Sequence, residues 1–165
     1  AEHAAPCRFD RAGLTDRVDD ISLLGYPVRL GALQQQRQDE IVREFQLLAM
    51  SIPESRTQVP GRLLELVGVL TSQFAAEMVE PQRLREQAAA SGVAQVDLSY
   101  PVRPGMREAV LAWETMMREV DDYCRRGTLL ALAAPAEVVA LREWTLGEFL
   151  RQLDGAQPAR WSGPV

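Results

Sequence analysis

Lysine and asparagine are missing from this chain; all 18 cationic side chains are arginine. The codons of both absent residues are AT-rich, so a GC-rich genome accounts for the pattern without assigning arginine a function. The arginines are scattered and the net charge is −5, so no stretch is dense enough in cations to track a phosphate backbone, and nucleic-acid binding is not expected. Histidine occurs once, as His3. Most zinc sites, the facial iron triad and the Glu-x-x-His di-iron bundle take histidines from the core, so the sequence points to no metal and names no cofactor. A Ser-His-Asp or Cys-His machine would need His3 to fold back over the domain. Cysteine occurs twice, as Cys7 and Cys124, whereas secreted disulfide frameworks use more cysteines at closer spacing. No apolar run approaches the ~18 residues of a membrane span, and no apolar segment of a signal peptide follows Ala1–Arg8. The expectation is a soluble cytoplasmic protein with no membrane partner.

What is present is a chain of 165 residues, 47% hydrophobic and 25% charged, enough for one ordered domain with a sizeable core. Four stretches repeat their apolar residues at the helical period. The first, from about Leu30 to Ser51, carries Leu30, Leu33, Ile41, Phe45, Leu48 and Ile52, and Pro53 stops it. The second follows Pro60-Gly61 with Leu63, Val67, Leu70, Phe74 and Met78. Pro81 kinks or ends it, and Gln82–Ala90 continues as a short polar helix to Ser91-Gly92. The third, Gly105–Arg126, has the cleanest stripe: Met106, Val110, Trp113, Met117, Val120, Cys124. Its last turn is cationic and Gly127 follows as an αL cap. The fourth starts at Pro135 and ends at Asp154-Gly155. Val96–Tyr100 alternates as an extended segment. Thr15–Ile21 is compatible with one or two helical turns, Thr128–Ala133 with a strand or a linker, and the tail after Gly155 with irregular structure.

Tyr-Pro-Val-Arg occurs at 26–29 and again at 100–103, each time before a long helix and with glycine two residues after the arginine. A spacing of 75 relates Pro60 to Pro135, Leu66 to Leu141 and Phe74 to Phe149. The order extended motif, long helix, linker, proline, second helix then appears twice, as in a duplicated helical hairpin; chance alignment of two amphipathic helix pairs gives the same appearance. In either case the proline forces extension before it and sets where the helix begins.

The expected architecture is therefore all-α: a four-helix bundle over residues 26–154, with irregular arms at 1–25 and 155–165. Candidate sites follow from breaks in the pattern. In the first helix the inward positions between Leu33 and Ile41 fall on Gln34, Arg37 and Gln38. Arg37, with Trp113 and Met117 of the third stripe, forms a candidate ligand site; a solvated helix end and plain core packing are the structural alternatives. Trp144 beside Arg142 is a candidate partner contact, or a ring packed under the N-terminal segment. Cys124 has no activating histidine. Asp16, Asp19 and Asp20 lack the glycine and final glutamate of a calcium loop. Asp121-Asp122 is placed on an outward helix face. No catalytic motif is present.

Two stretches, Tyr26–Leu30 with the helix ending Val42-Arg-Glu-Phe45, and Ala134–Leu153, resemble poorly characterised all-helical proteins of actinobacteria associated with partner-switching regulators, the anti-sigma-factor kinases and their STAS-domain antagonists. The resemblance covers Tyr26–Leu153 and implies a regulatory or sensory role, with no functional residue carried over. The expected function is thus a non-enzymatic regulatory or protein-interaction module acting through a helix face, with a protein partner or self-association. The alternative is a sensor of an organic anion or hydrophobic metabolite bound within the bundle.

Overall fold

The structure, a computed structural model, describes residues 20–51, 59–126 and 134–165. His3, Cys7, Asp16, Asp19, Gly127 and the Thr128–Ala133 segment lie outside them. The described elements run β1 (Asp20–Pro27), α1 (Val28–Ser51), α2 (Val59–Ala90), β2 (Gln95–Pro101), α3 (Met106–Arg125) and α4 (Ala136–Leu153). Among the described residues the chain is mostly helical, with four helices, which broadly fits the all-α expectation; beside them β1 and β2 pair as a two-stranded antiparallel sheet that was not expected. The boundary placed between residues 25 and 26 falls inside β1.

β1 replaces the helical turns expected at Ile21. Ile21 and Leu23 alternate with Ser22, and both are fully buried. Across the sheet Ile21 faces Tyr100 and Leu23 faces Leu98, also buried. The partner strand lies far along the chain, so the local pattern could not announce it. Between Leu23 and Tyr26 the register slips, with Leu24 and Gly25 opposing the single residue Asp97. This two-against-one count is a β-bulge, and the Gly25 N–H donates to the Asp97 carboxylate at 2.6 Å.

The outer edge of β1 is closed by a side chain. Ser22 N–H donates to Gln152 Oε1 at 2.9 Å, and Gln152 Nε2 donates to the Ser22 carbonyl at 2.8 Å. The amide thus substitutes for a neighbouring strand. Further along, Trp161 N–H donates to the Leu24 carbonyl at 2.9 Å, and Arg160 forms a parallel bridge with Leu24. The tail expected to be irregular is therefore docked on β1 at this point.

Two apolar clusters organise the helices. One holds Ile21, Leu23, Leu98, Tyr100 and Phe149 with Phe74 and Trp161, under the sheet. The other holds Ile41, Phe45, Leu63, Met116, Met117 and Val120, among the helices alone. α2 serves both, and its backbone leaves helical geometry at Phe74 (φ −119°, ψ 18°), a residue of the cluster under the sheet. Pro81 neither ends the helix nor carries this break. α2 stops at Gly92: the Gly92 N–H reaches the Ala89 carbonyl and the Val93 N–H that of Ala88, the paired bonds of a Schellman cap. α4 ends the same way at Gly155, through Gln152 and Arg151.

Candidate functional site

The two Tyr-Pro-Val-Arg motifs are strand-to-helix junctions, and their tyrosines converge. Tyr26 and Tyr100 are the next-to-last residues of β1 and β2, and both rings are buried. Tyr26 lies on Gly31 of the first turn of α1, where even a Cβ would meet the ring. Tyr100 tilts against Phe149, with ring centroids 5.1 Å apart. Burial pushes both phenols above their ordinary range, Tyr100 up to about 12, and the positive charge of Arg85 opposes the shift at each. The Arg85 guanidinium sits 6.0 Å from the Tyr26 ring centroid, over its face.

Arg85 is half-buried and has no carboxylate partner among the described residues. It bonds Gln82 Oε1 at 3.1 Å, which leaves most of its five donors without a partner among the described residues. It faces a half-open groove of about 480 Å³ between the N-terminal half of α1 and the C-terminal half of α2. Val28, Gly31, Ala32 and Ala89 give this groove small and apolar patches. Asp39, Glu40, Arg43 and Glu86 supply its remaining charges. Gln35, Gln36 and Gln82 each donate to the carboxylate one turn on, namely Asp39, Glu40 and Glu86. The lining thus offers ion pairing and hydrogen bonds, with no hydroxyl, thiol or imidazole side chain among its described residues.

The site expected from sequence is divided. Arg37 and Met117 share a crevice with Gln34, Asp121 and Arg142, but its volume is about 20 Å³, room for one water and not for a metabolite. Gln34 Oε1 is buried there without a partner among the described residues. Trp113 instead packs against the helical cluster, as do Met117 and Cys124. Burial pushes the Cys124 thiol up, with the charge of Arg37 opposing, as befits a core cysteine.

The two partner-contact residues are turned to internal work. The Arg142 side chain is only 12% exposed and pairs with Asp121 of α3, which corrects the outward placement of that aspartate. Trp144 packs edge-on to Trp161, ring centroids 5.3 Å apart, so its cover is the C-terminal tail. Two further acids face inward. Glu77 is buried and pairs with Arg103, whose hydrogen bond holds the carboxyl below its ordinary range; its second oxygen is unpartnered. Glu148 is buried against Arg151, Gln152 and the Ala159 N–H, and so ties the tail to α4.

Sequence reasoning missed Arg85 because Gln82–Ala90 reads as a polar solvated helix. Continuing the inward positions Phe74, Glu77 and Pro81 by helical steps reaches Leu84 and Ala88, which puts Arg85 at the border of the buried face. No family model, curated protein or solved structure matches the chain.

Proposed function

We propose that the protein is a non-enzymatic regulatory or protein-interaction module that works through a helix face, and that the face belongs to α2. The observation that carries this reading is the stretch Gly68–Val79. In a chain one quarter charged, its only charged residue is Glu77, which is buried and paired with Arg103. Val69 and Val79 are exposed, at 51% and 65%, and so is Met78. Leu111 of α3 is exposed too, at a level between the Gln73–Gly105 contact and the Arg62–Glu119 ion pair. Thr71, Ser72, Gln73, Ala75 and Ala76, between Val69 and Val79, are exposed as well, so the surface is uncharged and partly apolar, which supports an interaction site.

The first occupant is a second copy of the chain, arranged about a twofold axis. Copies of net charge −5 repel, and the repulsion is least where no like charges are brought together. The regulatory part of the reading rests on the resemblance of Tyr26–Phe45 and Ala134–Leu153 to actinobacterial proteins associated with partner switching. Native mass spectrometry is the test. A dimer with no added mass supports the proposal, and a monomer at every concentration contradicts self-association.

We also infer that the chain arose by duplication of a strand-helix-helix unit and that its helices form a four-helix bundle. Supporting this, the residues related by the 75-residue spacing take matching places. Phe74 and Phe149 join the same cluster, Pro60 and Pro135 stand at helix starts, and Glu77 and Gln152 are both buried polar groups.

A further inference from the structure

We propose that the groove between α1 and α2 binds a small zwitterion of the amino-acid type with an apolar side chain, its carboxylate held by Arg85 and its ammonium by the rim carboxylates Asp39 and Glu86. This site is separate from the α2 face at Gly68–Val79 and does not depend on that reading.

The charges of the lining decide the ligand class. Asp39, Glu40 and Glu86 are negative, and Arg43 and Arg85 positive. The lining carries three carboxylates and two guanidiniums, so neither a simple anion nor a simple cation complements it throughout. A molecule with both signs a few bonds apart satisfies each group. Arg85 is the anchor because it is half-buried, lacks a carboxylate among the described residues, and is steadied by the Tyr26 ring and by Gln82. A guanidinium fixed in this way presents its remaining N–H groups as a fork that suits a carboxylate. Asp39 and Glu86 each accept one bond from a glutamine, which leaves lone pairs for an ammonium. Val28, Ala32 and Ala89 provide the apolar contact for a side chain. The volume of about 480 Å³ falls in the range of small-ligand clefts, roughly 300–1,000 Å³.

The test is a thermal-shift titration of the full chain with leucine, phenylalanine and methionine at about 10 mM, enough to reveal millimolar binding by mass action. Isopentylamine and 4-methylpentanoate, the two halves of leucine, are the controls. At least one amino acid is expected to raise Tm, and neither half-molecule at the same concentration. Arg85→Met should weaken the response roughly tenfold to a hundredfold, the loss of a hydrogen-bonded charge. Because Arg85 also supports Tyr26, Ala89→Trp serves as a second variant: Ala89 is exposed, so tryptophan fills the groove without entering the core. It should abolish the response and leave the ligand-free Tm unchanged. No response in the wild type would overturn the proposal. So would a response that survives Ala89→Trp, or one that the amine or the acid alone reproduces.

Discussion

The Tyr26 ring lies directly over Gly31, so a methyl group placed there meets a buried side chain. Gly31→Ala is expected to lower stability by about 1–2 kcal/mol, overpacking outweighing the ~1 kcal/mol that alanine gains in a helix. Gly68 has open space around its Cβ position, and Gly68→Ala should raise stability by about 0.5–1 kcal/mol. Urea unfolding of the two variants should therefore move in opposite directions. Tyr100 carries a second expectation. Its folded pKa is pushed up to about 12 by burial, against about 10 in the unfolded chain. The folded state thus keeps the proton longer, and the corresponding stability is complete below about pH 10 and lost as pH rises toward 12. Tyr100→Phe keeps the ring against Phe149 and removes the ionisation. Its alkaline unfolding should be less steep than that of the wild type; an identical profile would mean that the buried phenol is not what titrates.

At the scale of elements, β1 depends on one side chain of α4. Gln152→Leu leaves both the N–H and the carbonyl of Ser22 without partners. The expected cost is about 2–4 kcal/mol, with faster hydrogen exchange at the Ser22 amide. Unchanged exchange there would show that the edge is closed by something else. The same element shows how far the sequence could be read. α3 was legible because its buried residues Met106, Val110, Met117, Val120 and Cys124 keep one helical stripe from end to end. In α1 the buried face passes from Leu30 through half-buried Gln34, Arg37 and Gln38 to Ile41 and Phe45, which leaves Leu33 on the flank, 45% exposed. In α2 the inward position after Phe74 goes to Glu77 and not to Met78, because Arg103 from beyond β2 supplies the counter-charge. β1 and the docked tail were not legible at all. Their hydrogen-bond partners, Leu98, Tyr100 and Gln152 for β1 and Leu24 for the tail, are brought near only by the finished fold. Of the candidate ligand site, the sequence placed Arg37 and Met117 together, but it could not show that close packing leaves them only about 20 Å³.

For the whole molecule, the sheet joins the first half of the chain to the second, and α2 reaches from one apolar cluster to the other. The exposed side of Gly68–Val79 in α2 is then the uncharged surface proposed to meet a second copy. Sedimentation equilibrium of the wild type beside the double variant Val69→Glu/Val79→Glu tests this most directly, with circular dichroism to confirm that both exposed substitutions leave the fold intact. The wild type should dimerise, and more tightly as salt screens the repulsion between chains of net charge −5, while the variant should remain monomeric. A wild type that is monomeric throughout, or a variant that dimerises as tightly as the wild type, would contradict the assignment of α2 as the interaction face.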